Sequence, residues 1–295
     1  MTKKFISFVV VFFLGAFCAL ALISCQSNRT EVFHNATSAS GVFVIPSSQE
    51  VLAALANYKT VKRQMILKYA GRVPKFWGDK LLGVKTTINT REKVLALTFD
   101  ACGGKGGNGY DAKLIKFLKA NHIKATLFIS GTWIAKHPVL FQMLANWPDF
   151  DIENHGFRHR PLSVTGRSIF KIGGTQGIGE IVEEVEQNAL RIWKLTGKKP
   201  KFFRSGTLYS DEIGVQIVGE LGEIMVSGNV EGDGGAKFSK QKIMKQLLTA
   251  QNGSIILMHF NHPEGDTAEG IISAIPLLQA RGYTFIRLID EGKKN

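Results

Sequence analysis

Leu95-Ala96-Leu97-Thr98-Phe99-Asp100-Ala101-Cys102, followed at once by Gly103 and Gly104, is the stretch on which the reading of this chain turns. A short apolar run that breaks at glycine has the pattern of a strand, with one ionisable group delivered to its end. A second stretch, Asn154-His155-Gly156-Phe157-Arg158-His159, sets two imidazoles four residues apart beside another candidate strand end. A carboxylate and a histidine pair reached from separate strand ends are the raw material of metal-assisted hydrolysis.

From Val94 onward, apolar runs alternate with amphipathic ones. Strands are expected over 94–99, 125–130, 151–154, 201–204, 224–228, 254–259 and 284–289. Helices are expected near 111–121, 138–146, 178–195, 210–221, 239–250 and 267–281. Strands joined by crossover helices predict an α/β fold with a parallel sheet or barrel. On this reading Asp100, His155, Arg204 and His259 each fall at or just past the end of a different strand, on the face where α/β barrels build their sites. Upstream, 51–72 reads as a helix and 74–90 as a loop-like approach; together, 51–93 forms an N-terminal extension packing on the barrel.

The N-terminus carries a separate message. Lys3-Lys4 precede an apolar run from Phe5 to Ile23, the layout of an export signal over residues 1–24, or of an uncleaved membrane anchor. Leu22-Ile23-Ser24-Cys25 resembles a bacterial lipobox, which makes Cys25 a lipidation site and places the rest of the chain outside the cytoplasm on a membrane tether. Residues 25–50, rich in Ser, Asn and Thr, read as that tether, with a small strand at 41–45.

With 44% apolar and 21% charged residues, composition excludes disorder. The formal charge of +13 favours anionic surroundings, and with no basic-aromatic module in sight, membrane or cell-wall polymer is preferred over nucleic acid. Cys102 is the one cysteine beyond Cys18 and Cys25, so a disulfide scaffold is excluded.

Residues 94–291 resemble the polysaccharide deacetylase family, also called carbohydrate esterase family 4. Its Thr-Phe-Asp-Asp motif corresponds to Thr98-Phe99-Asp100-Ala101, and its His-Ser/Thr-x-x-His motif to His155–His159, followed by Arg160-Pro161-Leu162. Its arginine motif corresponds to Phe202-Phe203-Arg204-Ser205-Gly206-Thr207, and its final motif to Ile255-Ile256-Leu257-Met258-His259. The resemblance implies a distorted (β/α)7 barrel and hydrolysis of N-acetyl or O-acetyl groups on an envelope polysaccharide such as peptidoglycan. It also implies Asp100 as general base, His259 as general acid, and Arg204 paired with Asp100. His155 and His159 would bind a divalent metal, with zinc expected. Backbone donors around Thr207 would face the oxyanion, and Asp233 would tune the catalytic histidine.

One position departs from the family. Ala101 stands where the family has a metal-binding Asp, leaving two recognisable ligands. Cys102, next along, is a candidate in its place, a better zinc ligand than a carboxylate when deprotonated; but successive strand residues point to opposite sides, so the reading of a small buried residue facing away is preferred. His262 is a further candidate ligand. His34, His122, His137, Trp133, Trp147 and Trp193 are read as packing or surface residues. The Gly103–Gly107 run is read as a flexible loop at the rim of a sugar cleft, and 166–179 as a mobile or tightly turning insertion. The loss at Ala101 motivates a second reading, a non-catalytic glycan-binding envelope lipoprotein. A third is a metallo-amidase acting on a non-sugar amide.

Overall fold

The structure is a computed structural model that describes residues 44–293. The export signal or anchor at 1–24, Cys25 and the tether to residue 43 lie outside the described residues. No described helix is long and apolar enough to cross a membrane.

The chain opens with α1 (Ser48–Tyr69), started by Ser47, whose hydroxyl accepts from the Glu50 N–H while the Glu50 carboxylate reaches back to the Ser47 N–H. The helix therefore begins three residues before its expected start, and residues 44–45 form no strand. A two-residue strand β1 (Trp77–Gly78) follows, and then β2 (Val94–Ala101), all eight residues of which are buried. Next come α2 (Ala112–Ala120), β3 (Ala125–Ile129), α3 (Gly131–Lys136), α4 (Pro138–Ala145) and β4 (Phe150–Asn154). The long α5 (Ile178–Thr196) leads to β5 (Phe202–Phe203), β6 (Ser210–Asp211), α6 (Glu212–Glu220), β7 (Ile224–Met225) and β8 (Val230–Glu231). The chain closes with α7 (Lys240–Leu247), β9 (Ile255–His259), α8 (Thr267–Ala280), β10 (Thr284–Ile286) and a 3-10 turn at Leu288–Asp290.

The main sheet runs β7-β5-β4-β3-β2-β9-β8 with every pairing parallel, and β10 lies against the first half of β2. Its two edges belong to one continuous segment. Val226 donates to the Phe203 carbonyl and Asn229 to the Ile255 carbonyl, so 224–231 leaves β5 and joins β9. That crossing curls the sheet into a distorted barrel and explains why the single strand expected at 224–228 is split in two. The expected strand at 201–204 shortens to two residues because Arg204 turns inward to the site. Helix α3 and the antiparallel pair β1–β6 were not expected from the sequence.

Alternation along β2 sorts its side chains into two layers. Leu95, Leu97, Phe99 and Ala101 face an apolar cluster shared with the covering helices. Ala96 lies in a separate cluster with Phe128, Phe202, Val226, Ile255 and Ile286, which plugs the barrel interior. Thr98 and Asp100 follow Ala96 at steps of two and rise above that plug toward the mouth.

Candidate active site

Asp100 and His259 are register partners on neighbouring strands, so their side chains stand beside each other at the barrel mouth. They line a cavity of about 330 Å³ together with Cys102, His159 and Thr207.

Arg204 is fully buried, an expensive position for a guanidinium unless its donors are met. It donates to Asp100 Oδ1 at 2.6 Å, Thr98 Oγ1 at 2.9 Å and the Ser227 carbonyl at 2.7 Å, and it lies over the Phe128 ring at 4.1 Å. Burial pulls the Arg204 guanidinium below its ordinary range, and the Asp100 carboxylate opposes that. Asp100 is thereby oriented from one side by Arg204, while its other oxygen lies 3.5 Å from His155 Nε2.

His259 is held by a second carboxylate. Its Nδ1 donates to Asp233 Oδ1 at 2.9 Å, its backbone N–H donates to Asp233 Oδ2 at 2.7 Å, and the Thr267 hydroxyl donates to Oδ2 at 3.1 Å. Burial alone would lower the His259 imidazole, but Asp233 outweighs it and holds the ring well above its ordinary 6.5. Burial would raise Asp233, which the facing His259 more than reverses.

The histidine pair sits on a loop fixed from several sides. His155 Nδ1 donates to the Arg204 carbonyl at 2.9 Å, which leaves Nε2 as the free ring nitrogen. His159 has φ of 60°, a left-handed conformation unusual for a residue with a Cβ, and its ring packs edge-on to that of His155 at 4.8 Å. Glu184, buried on α5, accepts from the Arg158 and Arg160 N–H groups at 2.9 and 3.0 Å. Gly206 passes so close to the His159 carbonyl that no Cβ would fit. Thr207 and Leu208 also take left-handed φ of 71° and 70°, and the Thr207 hydroxyl is buried with no partner among the described residues.

Cys102 does not face away. Counted from Asp100 rather than Ala101, it lies two residues on and therefore on the same side of the strand. Its Sγ stands 3.8 Å from His155 Nε2. One ligand atom each from Cys102, His155 and His159 all lie within 4.8 Å of one another. Burial would raise the Cys102 thiol, but the imidazoles of His159, His155 and His259 hold it well below its ordinary value. Ala101, in contrast, is sealed in the apolar layer. Two imidazoles converging beside a thiol and a carboxylate suit a divalent ion of borderline softness. His262 stands apart from this group and pairs with Glu264 at 2.9 Å.

The glycine run after Cys102 is a tight turn rather than a loose loop. Gly103 N–H donates to the Gly107 carbonyl at 2.9 Å, and a Cβ on Gly103 would collide with Thr132. The 166–179 insertion turns tightly too, through a bridge between Ile169 and Ile172.

Glu184 escaped the sequence reading although it left a trace. It occupies the apolar face of α5 among Ile181, Val182, Val185 and Ile192, where an acid needs a buried partner. Asn154 is a second such residue: its side chain ties the end of β4 to Glu223, Asn188 and the Gly156 N–H.

A carboxylate fixed by a guanidinium, beside an imidazole kept protonated by a second carboxylate, can take a proton and return one within a single cavity. It stands at the mouth of a parallel barrel, the face on which such folds build their sites.

Comparison with known proteins narrows the reading. A sequence model of the polysaccharide deacetylase family matches residues 87–225. The peptidoglycan-N-acetylmuramic acid deacetylase PdaA of Bacillus subtilis is 27% identical over 210 residues, covering 68% of this chain and 72% of PdaA. The solved structure of PdaA, described as a family 4 carbohydrate esterase, aligns with a TM-score of 0.58 at 25% identity, covering 78% of this chain and 87% of that one. The fold is also that of a family 4 pseudoenzyme from Bacillus anthracis, at TM-score 0.60 and 18% identity, covering 79% of this chain and 80% of the other. Residues 87–225 thus match a polysaccharide deacetylase domain, and the chain is similar to deacetylases and to a family 4 carbohydrate esterase.

Proposed function

We propose that this protein removes N-acetyl, or O-acetyl, groups from an envelope polysaccharide such as peptidoglycan. The observation that carries the proposal is the pairing of Asp100–Arg204 with His259–Asp233 on adjoining strand ends, in the cavity that His159 also lines. Similarity to PdaA supports the choice of substrate class.

His155 and His159 would hold a divalent metal, zinc by their chemistry, which supplies Lewis acidity toward the acetyl carbonyl. Asp100 accepts the proton of the attacking water, with its carboxylate aimed by Arg204. His259, protonated and with Nδ1 committed to Asp233, presents Nε2–H to the leaving amine. The Thr207 hydroxyl and the neighbouring backbone donors face the developing oxyanion. Residues 94–291 form the catalytic domain on this reading, and 51–93 a supporting extension. The export signal and Cys25 would tether it outside the cytoplasm, where the charge of +13, reduced to +11 by loss of Lys3 and Lys4 with the signal, suits an anionic envelope.

Acetate release from N-acetylated peptidoglycan by the purified protein is the test. Asp100→Asn should lower the rate by about 100- to 10,000-fold while glycan binding persists. Ala101 and the likeness in fold to a pseudoenzyme motivate the alternative, a glycan-binding protein without catalysis. Glycan binding with no acetate released by the metal-loaded wild type would establish that alternative.

A further inference from the structure

We infer that Cys102 is a metal ligand, its thiolate completing with His155 and His159 a zinc-selective site in which sulfur takes the part of a carboxylate. The inference rests on the metal-dependent reading above and adds to it the third donor and the class of metal.

Strand geometry makes the first argument. Ala101 carries no donor and is buried in the apolar cluster beneath the helices. The next residue reaches the histidines, because it shares the face of Thr98 and Asp100. Distance makes the second. In a tetrahedral zinc site a sulfur and a nitrogen donor stand about 3.5 Å apart, given bond lengths of about 2.3 and 2.0–2.1 Å. Cys102 Sγ and His155 Nε2 are 3.8 Å apart, so that pair closes on an ion by a few tenths of an ångström; all three donors lie within 4.8 Å of one another, which leaves about an ångström of closure to the third.

The third argument is that each donor is held by a partner of its own. The Cys102 carbonyl accepts from Ser130 Oγ at 2.7 Å and Thr132 Oγ1 at 3.3 Å, just before the packed Gly103 turn. The Arg204 carbonyl fixes the His155 tautomer, as partners of metal-bound histidines do. His159 is held in its left-handed conformation against Gly206. A cysteine serving only to fill space needs none of this and would sit among apolar side chains, whereas the near neighbours of this sulfur are imidazoles.

A thiolate keeps the single negative charge of the carboxylate it replaces but is softer, which shifts preference from magnesium and manganese toward zinc and cobalt.

Cobalt(II) added to the metal-free full-length protein tests this without reference to activity. The expected result is one bound cobalt per chain with an intense near-ultraviolet thiolate-to-cobalt absorption. Cys102→Ser should lose that absorption and bind cobalt about 100-fold more weakly or worse. Cys102→Asp should still bind, lack the absorption, and move in preference from zinc toward manganese. Cobalt bound by the wild type without the thiolate absorption would overturn the role of Cys102 and leave the metal reading standing. No binding of cobalt or zinc would overturn both. Should the variants fail to fold, alkylation of the wild type by iodoacetamide, followed at Cys102 by peptide mapping, decides the matter. Protection by cobalt supports ligation, and equal rates with and without it overturn it.

Discussion

Asp233 is bonded to His259, and its effect can be read in the direction of a titration. It lifts the His259 imidazole well above 6.5, so the acid form persists through neutral pH and is lost only as pH rises through that higher value. In Asp233→Asn the lift is gone, and the alkaline limb of the pH–rate profile should move toward lower pH. The His259 ring titration, followed by NMR, should move the same way; an unmoved limb would show that His259 is not the acid. Arg204 carries a different liability. Arg204→Met strands Asp100 as a buried carboxylate without its cation, which should cost about 3–5 kcal/mol in urea unfolding. Arg204→Lys should rescue little, because a single ammonium cannot span Asp100, Thr98 and the Ser227 carbonyl together. Asp100, His155, Arg204 and His259 were legible in the sequence because each is anchored to a strand end. Glu184 was not, since its partners are backbone N–H groups whose direction depends on the left-handed turn at His159.

At the scale of elements, β2 shows how far periodicity alone carries and where it needs a reference residue. Its apolar run marked a strand over 94–99, and the structure extends that strand to Ala101 with all eight residues buried. Which face meets the site is set by Asp100, and only then does Cys102 fall toward the histidines and Ala101 away. Ala101→Asp tests that sorting, because the resembled family carries its metal-binding Asp at this position. It would bury a carboxylate against apolar side chains, a penalty of several kcal/mol in order of magnitude, and thermal denaturation should show the loss with no gain in bound metal. Helix α5 offers a paired test. In Glu184→Gln an oxygen remains to accept from Arg158 and Arg160, whereas Glu184→Ala leaves two N–H groups unmet at about 1–3 kcal/mol each. Only the alanine variant should destabilise strongly. The crossing segment 224–231 was the least legible element. A strand that leaves one neighbour for another has no signature in local pattern, because the switch is dictated by where β5 and β9 stand.

The whole molecule raises the question of what the N-terminal extension contributes. Helix α1 lays Met65 and Tyr69 into a cluster with Ile181, Val182 and Val185 of α5 and Ile213 and Ile217 of α6. It is also clamped by Lys62 to Glu183 and by the Tyr69 hydroxyl to Glu220 at 2.5 Å. Burying two such side chains stabilises by about 1.5–3 kcal/mol each, against a total of about 5–15 kcal/mol for a typical domain. The exposed ion pairs add little to that. A chain shortened to residues 73–293 should therefore lose roughly 3–6 kcal/mol and uncover the apolar faces of α5 and α6. It should bind a hydrophobic dye and unfold at markedly lower urea. A chain of residues 44–293 keeps every one of these contacts and is the reference for the comparison. Because α5 also carries Glu184, which holds the loop between His155 and His159, the shorter chain should lose metal affinity as well, although no residue of α1 touches the site. Equal metal affinity in the two truncated chains would show that the histidine loop is braced by the barrel alone.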